Sequence, residues 1–167
     1  MSSIHPIQLP LLIDPKQKRH VRSQFGALCY RFKNDQIEFL LITSRRTKRW
    51  ILPKGWPENN MTPGESAANE AFEEAGARGK TDERPIGVYC YEKKVEFSKI
   101  YLCNVTVFSL KVQKILSDYP EKLERKRKWF SRLSAAKCVA EPGLAQLIKS
   151  FDAVSYTHLT LPTNREV

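Results

Sequence analysis

The chain has 167 residues, 41% of them hydrophobic, which suits one domain of ordinary size with a buried core. Lys and Arg outnumber Asp and Glu by 28 to 18, and the net charge of +10 favours a polyanionic partner, either a phosphorylated small molecule or nucleic acid. No apolar run reaches the ~18 residues of a membrane span, and the N-terminus lacks the pattern of a cleavable leader, so we expect a cytoplasmic protein without a membrane partner.

The first predicted elements are strands. After a polar arm at residues 1–22, two apolar runs at 24–32 and 37–44 are separated by the letters KNDQ, which predicts a β-hairpin. A shorter apolar run at 49–53 predicts a third strand that ends at a proline.

A helix with marked ends is predicted next. Thr62, Pro63 and Glu65 supply an N-cap, a proline at the first helical position and the third-position carboxylate of a capping box. Gly76 suits the left-handed residue that commonly ends a helix. The sequence therefore predicts a helix from Pro63 to about Gly76.

The remainder of the chain predicts two further strands, a short strand end and two helical pieces, at 85–94, 98–112, 128–133, 134–140 and 141–151. The order of strands, helix, strands and helices predicts an α/β fold, an α/β/α sandwich with a mixed β-sheet between helices. We assign residues 23–153 to this domain. The segment 154–167 continues neither its pattern nor its charge, resembles translated vector read-through, and is treated as a non-native tail.

Cysteine and histidine chemistry finds little support. The four cysteines are far apart and form no CxxC pair, so we expect buried, reduced thiols and no zinc or redox site. The three histidines lie in the arm (His5 and His20) and in the excluded tail (His158). A catalytic triad built on histidine is therefore disfavoured.

The predicted helix has two contrasting faces, since each residue advances about 100° around the axis. One arc carries small residues with one aromatic side chain and predicts a face packed on the sheet: Ala68, Ala71, Phe72 and Ala75. The almost opposite arc carries three carboxylates: Glu70, Glu73 and Glu74.

These three carboxylates repel one another at i, i+3 and i+4 spacing, and no basic residue lies between Lys54 and Arg78 to relieve them. A solvated acidic face is the ordinary explanation of such a trio. A hard divalent cation with oxygen ligands would neutralise it, and Mg²⁺ binds through a few carboxylates together with substrate phosphates. The sequence thus favours a metal site beside a basic surface that attracts phosphate.

The residues Glu70-Ala71-Phe72-Glu73-Glu74-Ala75-Gly76, at their distance from Gly55, resemble the Nudix box. The likeness extends from about Gln24 to Phe151 and is greatest to the diphosphoinositol and diadenosine polyphosphate phosphohydrolase branch. Two box positions differ, because Met61 stands where the family has Glu and Asn69 where it has Arg.

The resemblance implies a Nudix-type sandwich and a pyrophosphohydrolase that cleaves a phosphoanhydride bond. It places the metal on Glu70, Glu73 and Glu74, with Mg²⁺ as the cofactor and Mn²⁺ as a substitute. Glu73 is the implied general base, with Glu70 as its rival, and the implied phosphate-binding residues are Ser44, Arg45 and Arg125. A dinucleoside polyphosphate is the favoured substrate and a diphosphoinositol polyphosphate the second.

Two alternatives stay open at this point. The chain could be a catalytically degenerate Nudix-like domain that binds RNA or another polyanion through its basic clusters. Trp50 and Trp56 flank the loop before the helix, where they either pack in the core or line a pocket the size of a base or ring. The sequence also leaves the oligomeric state open.

Overall fold

The computed structural model describes residues 21–95 and 99–153. Its strands are β1 Val21–Lys33, β2 Gln36–Thr43, β3 Trp50–Ile51, β4 Lys54–Gly55, β5 Ala77–Val95, β6 Lys99–Ile115 and β7 Arg127–Ser131, and its helices are α1 Pro63–Ala75, α2 Arg132–Cys138 and α3 Pro142–Ser150. The arm lies outside these ranges up to residue 20, and its last two residues belong to β1. The tail 154–167 lies outside them entirely. Within the described ranges, no helix is long and apolar enough to cross a membrane.

The strands form one mixed sheet. Its main path runs β3-β2-β1-β6-β5, while β4 pairs with β1 and β7 pairs with β2. The β1–β6 pair is parallel and the other named pairs are antiparallel. Asn34 and Asp35 join β1 to β2 with φ values of 51° and 62°, which is the signature of the tight turn that suits the twist of a hairpin. The predicted hairpin and the mixed sheet are thus confirmed.

Both faces of the sheet are buried. Successive residues of β1 and β2 alternate between two hydrophobic clusters, because side chains point to opposite faces with a period of two. Helix α1 packs on one face through Ala67, Ala71 and Ala75. Helices α2 and α3 cover the other face with residues that include Ala135 and Leu144. This arrangement confirms the predicted α/β/α sandwich.

Local signals set both ends of α1 where the sequence predicts them. The Thr62 hydroxyl accepts a hydrogen bond from the Glu65 amide at 3.1 Å, and Gly76 ends the helix with φ 63°. From the neighbouring strand β5, the Glu83 carboxylate accepts hydrogen bonds from the Thr62 hydroxyl and the Gly64 amide. The helix start is therefore fixed to the sheet, which holds the following turns of α1 in one orientation.

The cysteines divide into two groups. Cys29 and Cys103 are buried, as expected, whereas Cys90 and Cys138 are exposed, and all four are free thiols. The expectation of burial is wrong for the second pair because Cys90 lies on a long outer strand, β5, and Cys138 ends the short helix α2.

Candidate active site

A cleft of about 540 Å³ opens beside α1, between the β3–β4 segment, β5 and the loop before β7. Carboxylates and cations dominate its lining, together with two aromatic side chains. The lining residues are Gln24, Arg45, Ile51, Lys54, Gly55, Trp56, Glu70, Glu73, Glu74, Tyr91, Lys93, Pro120, Glu121, Glu124 and Arg125. Five of the predicted site residues therefore share one cleft: Arg45, Glu70, Glu73, Glu74 and Arg125.

The acidic residues of α1 are less exposed than expected for side chains on the helix face opposite the sheet. Glu70 is 9% and Glu74 6% exposed, and only Glu73 is half-buried. The helix packs on the sheet through a ridge at i, i+4 spacing that begins at Ala67, while Ala68 and Phe72 are only partly buried. This rotation turns Glu70 and Glu74 inward against β4, so the interpretation of the trio as a freely solvated face is wrong.

Three carboxylates lie close together beside the cleft and form what we call the carboxylate cluster: Glu70 and Glu73, which line the cleft, and the exposed Glu58. One oxygen from each lies within 4.8 Å of the others, a spacing that could hold a metal ion. Oxygen donors of this kind suit a hard divalent cation. The sequence did not indicate Glu58 as a site residue, because it comes to the cluster only when residues 56–62 fold against α1.

Asn69 connects two members of the carboxylate cluster. Its amide nitrogen donates to Glu58 Oε1 at 3.2 Å and to Glu73 Oε1 at 3.3 Å. The residue that replaces the arginine of the box thus still orients carboxylates, with a neutral donor. Met61 lies apart from the cleft, in a second groove that Asn69 and Phe72 also line.

The strand β4 approaches α1 very closely at Gly55. A β-carbon built on Gly55 would overlap the Glu70 carboxyl group, so only glycine leaves room for that side chain. The adjacent Lys54 amide donates to Glu74 Oε2 at 3.3 Å. Two consecutive backbone positions of β4 therefore fix the places of two α1 carboxylates.

Burial and mutual repulsion both disfavour the charged forms of the Glu70 and Glu74 carboxyl groups. Burial, together with the nearby carboxylates of Glu74 and Glu73, raises the pKa of Glu70 to about 8. Burial likewise raises the pKa of Glu74 to about 7, although Arg125 and Lys54 oppose the change. A divalent cation would relieve this repulsion, so the donor set fits such an ion.

Arg125 lines the cleft, but its side chain is largely buried and already paired. Its guanidinium contacts Glu74 at 3.5 Å and Glu121 at 3.4 Å and donates to the Thr43 carbonyl at 3.2 Å. Its side chain is 7% exposed. These contacts give Arg125 a clear role in holding Glu74, and its predicted role as a phosphate ligand stays a prediction.

Of the other two predicted phosphate ligands, Arg45 lines the cleft and Ser44 does not. Arg45 is 60% exposed and lies 3.8 Å from Glu121 and 3.6 Å from Glu124. The Ser44 hydroxyl bonds Thr47 and the Arg49 amide within its own loop, and Ser44 is outside the set that lines the cleft. The phosphate-binding role stays a prediction for both residues.

We expect Arg125→Met to lower the free energy of unfolding by about 3 kcal/mol, because it removes the cation of a buried ion pair. Arg45→Met is the matched control, since Arg45 also faces Glu121 but from an exposed position, where the loss is less than about 1 kcal/mol. Urea unfolding of both variants in metal-free buffer at neutral pH measures the difference. Equal losses in the two variants would contradict the structural role of Arg125.

The two tryptophans before α1 take different environments. Trp50 packs on Phe130 with ring centroids 4.9 Å apart and joins the core that α2 and α3 cover. Trp56 is 45% exposed and lines the cleft. Trp50 thus packs against the core, and Trp56 lies where it could line a pocket.

Sequence reasoning missed Lys54 and Tyr91 as lining residues. The Lys54 ammonium lies 5.0 Å from the Tyr91 ring centroid, and burial lowers the Lys54 pKa although Glu74 opposes the change. The Tyr91 hydroxyl donates to Gln24 Oε1 at 2.6 Å. Both side chains come from strands that are distant in sequence, so no local spacing could have brought them together.

Comparison with known proteins identifies the family of this chain. The NUDIX domain family model matches residues 22–151, which include every element from β1 to α3. The chain belongs to the Nudix family. The Nudix match also covers the cleft and all the residues predicted for it.

Curated Nudix relatives show moderate identity. Nudix hydrolase 12, mitochondrial, of Arabidopsis thaliana is 31% identical over 135 residues, which cover 79% of this chain and 66% of the relative. Diphosphoinositol polyphosphate phosphohydrolase 2 of Rattus norvegicus is 31% identical over 118 residues, covering 70% of this chain and 62% of the relative. The chain therefore spans slightly less than two thirds of the length of these relatives.

Solved Nudix structures share the fold. The Ap4A hydrolase of C. elegans superposes with a TM-score of 0.57 and 21% identity over 81% of this chain and 98% of that protein. The NUDIX domain of Shewanella oneidensis NrtR, complexed with ADP ribose, superposes with a TM-score of 0.55 and 12% identity over 89% and 95% of the two chains. At these identities the likeness concerns the fold alone.

Proposed function

We propose that this chain is a divalent-metal-dependent Nudix pyrophosphohydrolase that cleaves a phosphoanhydride bond in a polyphosphorylated metabolite. The observation that carries the proposal is the carboxylate cluster, two members of which line a cleft that cations also line. The named activities of the relatives, on diphosphoinositol polyphosphate and on Ap4A, belong to the same reaction class. Diadenosine polyphosphate-like compounds are the first substrate class to test and diphosphoinositol polyphosphates the second.

Glu58, Glu70 and Glu73 would hold the cation, Mg²⁺ or Mn²⁺. Glu74, which is paired with Arg125, would lie next to this metal site. A bound divalent cation neutralises phosphate charge and makes a nearby water more acidic. We assign Glu73 as the general base that accepts the proton of the attacking water, with Glu70 as its rival.

The remaining side chains would orient these groups and the substrate. Asn69 holds the Glu73 carboxylate by the amide hydrogen bond, which fixes the direction from which a proton can be accepted. Lys54 and Arg45 would neutralise the phosphates that enter the cleft, since both line it. The proposed compartment is the cytoplasm, although the Arabidopsis relative is named mitochondrial.

A screen of phosphoanhydrides tests the proposal. We expect release of phosphate products from at least one compound among diadenosine polyphosphates, nucleoside triphosphates, nucleotide sugars and diphosphoinositol polyphosphates. Turnover should stop in EDTA and return with Mg²⁺ or Mn²⁺, because the cation neutralises phosphate charge and makes the attacking water more acidic. No turnover of any compound, together with salt-sensitive RNA binding that ignores Mg²⁺, would instead support the degenerate polyanion-binding domain.

A further inference from the structure

One wall of the cleft is built from two pairs, each of a cation and an aromatic ring. The Lys93 ammonium lies 5.6 Å from the Trp56 ring centroid, and the Lys54 ammonium lies 5.0 Å from that of Tyr91. Tyr91 and Lys93 are two residues apart on β5, so their side chains project from the same face of the strand. Lys54 and Trp56 reach them from β4 and the residue after it.

The two pairs differ in depth. Tyr91 is half-buried and hydrogen-bonded to Gln24, whereas Trp56 is 45% exposed at the mouth of the cleft. An indole ring offers a large flat apolar surface, which a planar partner can cover. Trp56 also lines the cleft, so part of its indole surface is accessible there, and the flexible Lys93 side chain contacts the ring.

We propose that Trp56 is a stacking platform for the base of a nucleoside polyphosphate, whose phosphates extend from there to the carboxylate cluster. The inference rests on the proposed function and narrows it to nucleotide-linked substrates. Trp56 follows Gly55, and Gly55 contacts the Glu70 carboxyl group, so the platform begins one residue from the cluster. A base stacked on Trp56 and a diphosphate near Glu70 would thus lie next to each other in one cleft.

The charge of the cleft favours a base over a heavily phosphorylated ring. Four cations and five carboxylates line it, and two of the cations, Arg45 and Arg125, already face carboxylates within 4 Å. A ring with phosphates on most of its carbons needs many free cations and gains nothing from an indole face. A neutral planar base gains stacking energy from that face and leaves one short phosphate chain for Lys54, Lys93 and the metal.

The test compares two probes that differ by a nucleoside. The first is adenosine 5′-(α,β-methylene)diphosphate and the second is methylenediphosphonate, and neither can be hydrolysed at its P–C–P bridge. Calorimetric titration in Mg²⁺ measures both affinities for the wild type, Trp56→Ala, Trp56→Phe and Phe32→Ala. Phe32 is the matched control because it is 50% exposed and lies outside the cleft.

We expect the wild type to bind the nucleotide probe more tightly than the base-free probe. Trp56→Ala should weaken the nucleotide probe by roughly 5- to 150-fold, the range of a lost base stack, and change the base-free probe less than twofold. Trp56→Phe should keep part of the affinity, and Phe32→Ala all of it.

Three results would overturn the platform: no preference of the wild type for the nucleotide probe, an unchanged nucleotide affinity in Trp56→Ala, or equal weakening of both probes. The last result would mean that Trp56 acts through the shape of the site. Since binding is measured without turnover, a failed hydrolysis screen beside a confirmed platform would identify a nucleotide-binding Nudix domain that is not an enzyme.

Discussion

Glu70→Gln is expected to lower the turnover number for metal-dependent hydrolysis by on the order of 10²–10⁴-fold, the range for a lost catalytic carboxylate. Glu70 is the central member of the site, since it belongs to the carboxylate cluster, lies near the Glu74 carboxylate and lies against β4 at Gly55. The amide keeps the size of the side chain but loses a negative charge. Steady-state kinetics on the best substrate of the screen, at saturating Mg²⁺, measures the loss.

Glu92→Gln is the control for this change, because Glu92 is exposed on β5 and outside the cleft. Thermal melts with and without Mg²⁺ provide a second measurement that does not depend on turnover. Mg²⁺ should raise the melting temperature of the wild type and of Glu92→Gln, and raise that of Glu70→Gln much less. Full turnover in Glu70→Gln, or an equal Mg²⁺ response in all three proteins, would remove Glu70 from the metal site.

Gly55→Ala is expected to reduce the turnover number by about 10²-fold, the usual cost of displacing a catalytic group by about 1 Å. The new methyl group would occupy the position of the Glu70 carboxyl group, which must then move away from Glu58 and Glu73. Gly55 is outside the left-handed backbone region, so alanine can adopt its conformation and the fold should persist.

Gly87→Ala separates this effect from a general cost of replacing a strand glycine. A β-carbon at Gly87 meets the end of the Leu147 side chain, which can rotate away, and the position is outside the cleft. We expect Gly87→Ala to keep the turnover number within about twofold, whereas Gly55→Ala loses most of it with a similar circular dichroism spectrum. Comparable activity in both variants would contradict the close approach of Gly55 to Glu70.

Several features of the fold could be read from short stretches of sequence because local interactions determine them. Thr62, Pro63 and Gly76 act on the backbone within a few residues, so both ends of α1 lie where the sequence predicts. The turn at Asn34 and Asp35 likewise depends on local φ values. Apolar runs separated by turn residues placed the first strands, and the box residues identified the family.

The rotation of α1 on the sheet could not be read in this way. The predicted and the observed packing faces share Ala71 and Ala75. They differ because the predicted face adds Ala68 and Phe72, whereas the observed face adds Ala67. Which of them packs depends on the shape of the sheet beneath and on the approach of β4. That choice buried Glu70 and Glu74, and it explains why their surroundings differ from those of an ordinary acidic face.

The sequence by itself thus determined the Nudix family, the mixed-sheet sandwich and the ends of α1. Only the tertiary structure decided that Glu58 joins Glu70 and Glu73, that Arg125 holds Glu74 across 51 residues, and that Trp56 rather than Trp50 faces the cleft. The physical reason is the range of the interactions: caps, turns and alternation act between neighbours, whereas these contacts form only when distant segments pack against one another.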